Sequence, residues 1–326
     1  MLTRIKIQNL FNVYDYDIDL TNSDKTMVKF LTAPNGFGKT TILDFINAAM
    51  HQSYDKMFQI PFLQLELFYD ETGSETVYKY TVTREEETSA AKDTDIVQVL
   101  SKTLTIKLLR INGDEETLIE QFSIKQTPDG KVNTDGMTAN TEMFFVSRTC
   151  YYLTDKRLLS LKMDVVEETL KIEESPLPKY PGELKEILLS ETKSAEYAHR
   201  IQAFQEIIGR CEFANKHLEV DKRFGFRFVS EDELHTILTL DQLSSGEKQM
   251  IIQVYELLFR AQSGTLVMID EPELSLHMLW QMNYLKNLSQ IAQLRGFQCI
   301  VATHSPQIFN SLWSKSVDLF AISNKK

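Results

Sequence analysis

The stretch Ala33-Pro34-Asn35-Gly36-Phe37-Gly38-Lys39-Thr40-Thr41 decides the fold of this chain. It follows a short apolar run at residues 28–31 that is typical of a strand, and it precedes a run at residues 42–50 that is typical of a helix. Glycine lets backbone N–H groups approach anionic oxygens, lysine supplies a mobile cation, and the hydroxyl of Thr40 suits Mg²⁺. The positive end of the following helix points at the same place. We therefore predict a phosphate-binding loop.

One position departs from the G-x-x-x-x-G-K-[ST] pattern, because Ala33 stands where glycine is usual. A residue before proline is restricted to extended conformations, and alanine adopts these without strain. The competing interpretation is an ordinary glycine-containing turn before a helix. The strand and the helix on either side favour the phosphate-binding loop.

Composition limits the classes of protein that this chain can be. The 326 residues are 43% hydrophobic, which is enough for a sizeable core. The net charge of -11 argues against a broad nucleic-acid-binding face, although a local groove is still allowed. The three cysteines lack metal-binding spacing, and neither a membrane-spanning run nor a signal peptide is evident. We expect a soluble cytoplasmic protein with free thiols.

Alternating apolar residues predict an antiparallel layer in the first half. The runs at 2–7 and 14–20 predict a strand pair that flanks the nucleotide base. Further alternation between residues 62 and 124 predicts hairpins, with Asn112-Gly113 as one turn. We expect the polar segments 85–95 and 126–140 to be loops.

The middle of the chain predicts a strand followed by a helical lobe. Residues 143–153 are apolar and aromatic like a strand, and residues 154–157 resemble a cap and first helical turn. Apolar residues recur at helical spacing over residues 182–218. The basic and aromatic run 222–228 has two interpretations, a strand or a surface for single-stranded nucleic acid, and we favour the strand.

Three further motifs follow in the last third. Leu243-Ser244-Ser245-Gly246-Glu247-Lys248-Gln249 precedes an apolar helix. An apolar strand from residue 265 ends at Asp270-Glu271, and another at 297–302 ends at Thr303-His304. Parallel strands would bring these acids and His304 to one edge of a sheet, where ligands bind. Each motif alone has an ordinary interpretation, as a helix cap, an acidic turn or a lone histidine. The occurrence of all three in this order has no such ordinary interpretation.

With these four motifs, the chain resembles an ABC-type ATPase head over nearly its whole length. The resemblance implies an α/β P-loop NTPase fold with a mixed central sheet, an inserted antiparallel β layer and a helical lobe. We expect one domain, 1–326, in four parts: the N-terminal strands and phosphate loop (1–60), the β layer (61–142), the helical lobe (143–220), and the signature, acidic-strand and histidine half (221–326).

The resemblance also implies ATP and Mg²⁺ as ligands and roles for particular residues. Catalysis would rest on Glu271, which polarises the attacking water, on His304 at the γ-phosphate, and on Lys39. Mg²⁺ would be held by Thr40 and Asp270. In this family two subunits meet head to tail around ATP, so a homodimer is implied, and the nucleotide-binding residues come from both motifs: Asn35, Gly36, Phe37, Gly38, Lys39, Thr40, Thr41, Ser244, Ser245, Gly246 and Glu247. The family's glutamine loop lacks its glutamine here, and Ser147, Arg148 or Arg157 would substitute.

The run Asp270-Glu271-Pro272-Glu273-Leu274-Ser275-Leu276-His277 and the Ser-Pro after His304 resemble phage-defence ATPases of the overcoming-lysogenization-defect and Septu types, and their recombination-repair relatives. Only a short helix and a strand at 317–322 are expected after His304, which leaves no room for a nuclease domain. We therefore hypothesise a regulatory ATPase that controls a separate nuclease or toxin in antiphage defence. The alternatives are a repair ATPase that clamps DNA and a slow nucleotide-sensing scaffold. We interpret the apolar face of residues 276–292, with Leu279 and Trp280, as core.

Overall fold

The computed structural model describes residues 1–21, 27–71, 74–90, 97–135, 139–146, 148–154, 160–164, 169–173, 175–274, 276–309 and 312–325. The chain forms two compact units. The first comprises Met1–Lys25, Leu31–Cys150 and Ser316–Lys326, and the second comprises Thr26–Phe30 and Tyr151–Lys315. The phosphate loop therefore belongs to the first unit, and the signature, acidic and histidine motifs belong to the second.

The elements follow one another in mixed α/β order. The strands are β1 (Leu2–Leu10), β2 (Tyr14–Asp19), β3 (Val28–Thr32), β4 (Gln64–Asp70), β5 (Thr76–Ala90), β6 (Val97–Asn112), β7 (Glu115–Gln126), β8 (Val132–Asp135), β9 (Cys150–Leu153), β10 (Ser160–Asp164), β11 (Thr169–Glu173), β12 (Lys216–Asp221), β13 (Gly225–Ser230), β14 (Ile237–Leu238), β15 (Leu266–Asp270), β16 (Gln298–Thr303), β17 (Ser316–Asp318) and β18 (Asn324–Lys325). The helices are α1 (Lys39–Met50), α2 (Tyr54–Gln59), α3 (Ala139–Val146), α4 (Tyr180–Leu189), α5 (Glu191–Arg210), α6 (Ser245–Tyr255), α7 (Met278–Arg295) and α8 (Leu319–Ile322).

The first unit is built on one eight-stranded sheet in the order β18-β2-β1-β4-β5-β6-β7-β8. Its neighbouring strands pair antiparallel, as β1 does with β2 and β5 with β6. The alternation along β1 places Ile5 and Ile7 in the core and Arg4 at the surface. The predicted N-terminal strand pair and the antiparallel β layer are thus confirmed, because period-two patterning buries one face of a sheet.

Two predicted loops in this unit are wrong in part. Residues 85–90 continue β5, because the β5–β6 ladder extends from Thr76↔Asn112 to Ala90↔Val97. Cross-strand hydrogen bonds hold the polar end of β5 in a strand although it has no apolar face to bury. In the segment 126–140, Val132–Asp135 pairs with β7 and helix α3 begins at Ala139.

The second unit centres on a buried parallel pair. Strands β15 and β16 run parallel, with Leu266 opposite Gln298 and Asp270 opposite Ala302. Every residue of both strands is buried, as expected for parallel strands that are covered on both faces. One apolar core joins them to residues of β13 and of helices α4, α5, α6 and α7. The two predicted strands that end in the acids and in His304 are therefore confirmed.

The strand interpretation of residues 222–228 is confirmed for the part that forms β13. Phe226 and Phe228 are buried, and the hairpin partner β12 supplies Glu219, which pairs with Arg227 at 2.7 Å. These two aromatic rings thus belong to the core, and Arg223 is paired as well, with Asp221 at 2.9 Å. Helices α4 and α5 confirm the helical lobe as far as Arg210, but residues 216–218 begin β12.

Several other expectations are corrected by packing. Residues 143–146 belong to helix α3, so only Cys150–Leu153 of the predicted strand is extended. The predicted strand at 317–322 ends at Asp318, whose side chain accepts a hydrogen bond from Phe320 N and caps α8. Leu279 lies 62% exposed rather than in the core, because it occupies the outer side of the first turn of α7. The expected helical turn at 154–157 lies outside the described residues except for Thr154.

Within the described ranges, no helix is long and apolar enough to cross a membrane. The thiols of Cys150, Cys211 and Cys299 are free. Burial raises the pKa of both Cys150 and Cys211 to about 12, so these thiols stay protonated near neutral pH.

Candidate functional site

The phosphate loop of the first unit has the backbone that its sequence predicts. Gly36 and Gly38 adopt positive φ values of 88° and 80°, and Gly38 precedes the first residue of α1. Ala33 is absent from the residues with positive φ, so its side chain causes no strain there. Lys39 is buried and its Nζ donates to Ala33 O at 3.0 Å. The Lys39 side chain therefore folds back over the phosphate loop. Its ammonium group bonds to a loop carbonyl and would also contact a phosphate bound there.

Aromatic residues fix the outer part of this loop. Tyr16 Oη donates to Phe37 O at 2.8 Å. The Phe37 ring lies 5.3 Å from the Tyr14 ring and 5.3 Å from the Phe320 ring, measured between centroids. A Cβ on Gly38 would come within 3.1 Å of Leu10 Cδ2, so the loop packs closely on β1. These contacts hold the loop amides in place and reduce the ordering that ligand binding requires.

The signature motif of the second unit begins helix α6. Ser244 is the N-cap, and its Oγ accepts from Glu247 N at 3.3 Å while Glu247 Oε2 accepts from Ser244 N at 2.7 Å. This reciprocal pair is a capping box. Ser244 and Ser245 are exposed, whereas Gly246 is buried. The positive end of α6 is thus presented at the surface of its unit, where an approaching anion would be stabilised.

Lys216 supports this helix start from β12, a contact that sequence patterns do not reveal. Its Nζ lies 2.8 and 3.0 Å from the two carboxylate oxygens of Glu247. The Glu247 side chain is 5% exposed and the Lys216 side chain 17%. Burial pushes the pKa of Glu247 upward, but the hydrogen bonds from Lys216 and Ser244 outweigh it and lower the pKa. The carboxylate of Glu247 is therefore engaged within the unit.

The carboxyl ends of β15 and β16 bring the acids and the histidine together. Asp270 is the last residue of β15 and is 7% exposed. Glu271 has a positive φ of 44°, held by a hydrogen bond from its N to Ala302 O at 2.8 Å. This backbone turn directs its side chain to His304, whose Nδ1 lies 2.5 Å from Glu271 Oε2. Strained φ values of this kind are common at functional sites.

A third carboxylate, Glu273, completes this cluster. Its Oε1 accepts from Thr303 Oγ1 at 2.5 Å and from His304 N at 3.0 Å. Burial and the nearby carboxylate of Glu271 raise the pKa of Glu273. The sequence motifs assign no role to Glu273, although its place two residues after Glu271 in a proline-containing turn is the signal that could have found it.

The residues present fit ATP and Mg²⁺ in each unit taken separately. The first unit offers a glycine loop at a helix start, with the Thr40 hydroxyl exposed on the first turn of α1. The second offers the Asp270 carboxylate at the end of a buried strand, and oxygen donors of this kind suit Mg²⁺. Of the glutamine-loop substitutes, Arg148 packs its guanidinium 4.0 Å from the Phe144 ring centroid. Ser147 and Arg157 lie outside the described residues.

Comparison with known families supports these motifs. Residues 168–310 match the family described as "AAA domain, putative AbiEii toxin, Type IV TA system". The match contains the signature motif, the acidic strand end and His304. The chain is thus similar to this family over residues 168–310, a little under half of its length. The chain is also 31% identical over 105 residues to the "Retron Ec83 probable ATPase" of Escherichia coli, over 29% of this chain and 19% of that protein. The chain therefore spans only a small part of the curated relative that it matches.

Solved structures similar to this chain include two SMC heads. One is the SMC head bound to the C-winged helix domain of ScpA, with 11% identity, a TM-score of 0.47, and coverage of 94% of this chain and 90% of that one. The other is the SMC head domain from Thermotoga maritima, with 13% identity, a TM-score of 0.40, and coverage of 100% and 98%.

Proposed function

We propose that this chain binds ATP with Mg²⁺ and hydrolyses it, with Glu271 polarising the attacking water. The observation that carries the proposal is the contact between His304 Nδ1 and Glu271 Oε2 at the ends of two parallel strands. A carboxylate beside a half-exposed imidazole can accept a proton from water and keep its orientation. His304 would then contact the γ-phosphate with the part of its ring that Glu271 does not engage.

The remaining residues bind and orient the nucleotide. The amides of residues 35–41 and the ammonium of Lys39 hold the phosphates, where the positive end of α1 adds to the attraction. Thr40 of the first unit and Asp270 of the second are each proposed as a Mg²⁺ ligand, and Mg²⁺ would neutralise phosphate charge. Tyr14 and Tyr16, on the strand beside the loop, would flank the base. These roles follow the match between each residue and the motif in which it stands.

The exposed start of α6 supports a head-to-tail homodimer. An anion reaches the amides after Ser244 only from outside the unit, since Ser244 and Ser245 are at its surface and Gly246 lies behind them. A second copy that carries bound ATP presents such an anion. Residues Ser244 to Glu247 of one copy would thus complete the site of the other, with Glu247 acting through the cap that it forms.

We further propose that closure around ATP regulates a separate effector, a nuclease or a toxin, in antiphage defence. The support is the description of the matching family as a toxin–antitoxin component and the name of the retron relative. A toxin–antitoxin system has two components, which agrees with a chain that acts on a second protein. The cytoplasm is the compartment in which such a protein would meet ATP.

The test of hydrolysis is a comparison of phosphate release by the purified chain and by Glu271→Gln. Removing a working general base should lower kcat by about 100-fold or more while ATP affinity stays within about threefold. Glu212→Gln, an exposed acid of the same unit, is the matched control and should behave like the parent. Equal turnover by Glu271→Gln and the parent would contradict the role of Glu271 and support the slow scaffold.

The effector requires a second measurement. The chain should be purified together with the products of its neighbouring genes and weighed with and without ATP. A stable complex whose mass depends on ATP supports regulation of an effector. DNA binding that weakens steeply with salt, without such a complex, would instead support the repair ATPase.

A further inference from the structure

One carboxylate oxygen of the buried residue Glu273 accepts three hydrogen bonds from the last residue of strand β16 and the two residues after it. Its Oε1 accepts from Thr303 Oγ1, His304 N and Ser305 N, at 2.5, 3.0 and 3.1 Å. The Glu273 side chain is only 4% exposed. Three donors that converge on one buried oxygen form a geometrically defined set, which fixes Thr303 and the backbone of the two residues after it.

The residue that these bonds fix in place is His304. Its ring is 49% exposed, so packing restrains only part of it and polar contacts set its direction. Nδ1 lies 2.5 Å from Glu271 Oε2 and 3.3 Å from Glu273 Oε1. The main-chain N–H of the same residue is bonded to Glu273. The buried carboxylate of Glu273 thus restrains both the backbone of His304 and the Nδ1 side of its ring.

We propose that Glu273 is a positioning residue, which holds His304 against Glu271 in the arrangement that ATP hydrolysis needs. The inference rests on the proposed ATPase function. Glu273 is too deeply buried to reach nucleotide, so it acts through His304. A displacement of about 1 Å in a reacting group costs up to about 100-fold in rate, and this is the magnitude that accurate placement of His304 would protect.

Other contacts show which part of the turn depends on Glu273. Ser305 Oγ donates to Gln281 Oε1 at 2.9 Å, and Leu276 N donates to Glu273 O at 3.0 Å. When the Glu273 side chain changes, the turn after β16 therefore keeps the hydrogen bond from Ser305 to Gln281 of α7. The turn after β15 keeps the backbone hydrogen bond from Leu276 N to Glu273 O. A conservative change at Glu273 should leave the fold intact and alter the placement of His304.

The experiment compares Glu273→Gln with Glu273→Asp in the full chain. Glutamine keeps a carbonyl oxygen at the position of Oε1 without the charge, whereas aspartate keeps the charge but withdraws the oxygen by one methylene. We expect Glu273→Gln to retain kcat within about threefold and Glu273→Asp to lose about tenfold or more, with the KM for ATP within about twofold in both. Thr303→Val, which removes one of the three donors, should have an intermediate kcat.

The pattern of results separates positioning from a purely structural role. Unchanged kcat in Glu273→Asp overturns the inference. An equal loss in both variants also overturns it, because the position of the oxygen would then not by itself set the rate. A raised KM with unchanged kcat would assign Glu273 to binding and contradict the inference as well.

A readout that does not use turnover distinguishes this inference from the proposed function. The ring ¹⁵N signals of His304, assigned by their loss in His304→Gln, should move in Glu273→Asp and stay in place in Glu273→Gln. If the parent does not hydrolyse ATP, the proposed function fails while these signals still test the contact. If they are the same in all Glu273 variants, the positioning role is wrong whatever the activity.

Discussion

Gly38 shows how one residue limits the shape of the phosphate loop. Its φ of 80° lies in the left-handed region, where a side chain costs about 1–2 kcal/mol. A Cβ would also meet Leu10 Cδ2 at 3.1 Å and Phe11 Cε2 at 3.2 Å. Leu10 is fully buried and cannot easily move away, so the loop requires glycine both for its backbone and for the space beside it.

We expect Gly38→Ala to lower the free energy of unfolding by more than Gly130→Ala, measured by urea denaturation. Gly130 is the matched control because its φ is 81° and no atom lies within 4 Å of the position that a Cβ would occupy. Both variants incur the backbone cost, and the difference of about 1 kcal/mol or more is the cost of crowding against β1. Equal losses would show that the Leu10 and Phe11 side chains give way without cost.

At the scale of elements, a buried ion pair joins strand β12 to the start of helix α6. Lys216 contacts both carboxylate oxygens of Glu247, which also closes the capping box with Ser244. Removal of one partner leaves a buried charge uncompensated. The strand thereby stabilises the helix end that the proposed dimer would use.

Lys216→Met should lower the free energy of unfolding by about 2 kcal/mol at neutral pH. Arg223→Met, which removes a cation from an exposed pair with Asp221 on the same hairpin, should have a much smaller effect. A loss in Lys216→Met no greater than in this control would mean that the pair does not stabilise the helix start.

The same pair predicts a dependence on pH. The pKa of folded Glu247 is lowered from 4.5, so the unfolded state binds the proton more tightly. The stabilisation by the ion pair is therefore complete above the unfolded-state value of 4.5. It is lost as the pH falls through the lower pKa that Glu247 has in the folded state. The difference between the parent and Lys216→Met should be largest near pH 6 and shrink below pH 4.5. A difference that stays constant through acid would contradict this linkage.

At the scale of the whole molecule, trapped ATP should hold two copies together. We expect Glu271→Gln with ATP and Mg²⁺ to elute at twice the chain mass of 37.7 kDa in light-scattering chromatography, and at the single mass without ATP. Adding Ser244→Arg should abolish the dimer by obstructing the start of α6, whereas Ser190→Arg, at the N-cap of α5, should not. A monomer under all conditions would refute the head-to-tail arrangement.

The sequence by itself determined the local parts of this protein. Alternating apolar residues predicted β1, β2 and most of the antiparallel layer, since every second residue of a strand lies on the same face of the sheet. Apolar runs predicted β15 and β16, and the residues at their ends predicted that Glu271 and His304 would meet. Glycine, lysine and threonine in the order of the motif predicted the phosphate loop before helix α1. In each case the information lies within a few consecutive residues.

Only the tertiary structure decided which side chains meet across the chain. Glu273 and Thr303 are 30 residues apart, and Lys216 and Glu247 are 31 apart, so neither pair leaves a periodic signal. The strand at residues 85–90 is equally invisible, because hydrogen bonds from β6 hold it rather than any pattern of its own. A carboxylate in a sequence does not specify its partner; packing selects the partner, because a buried charge must find its donors within the fold.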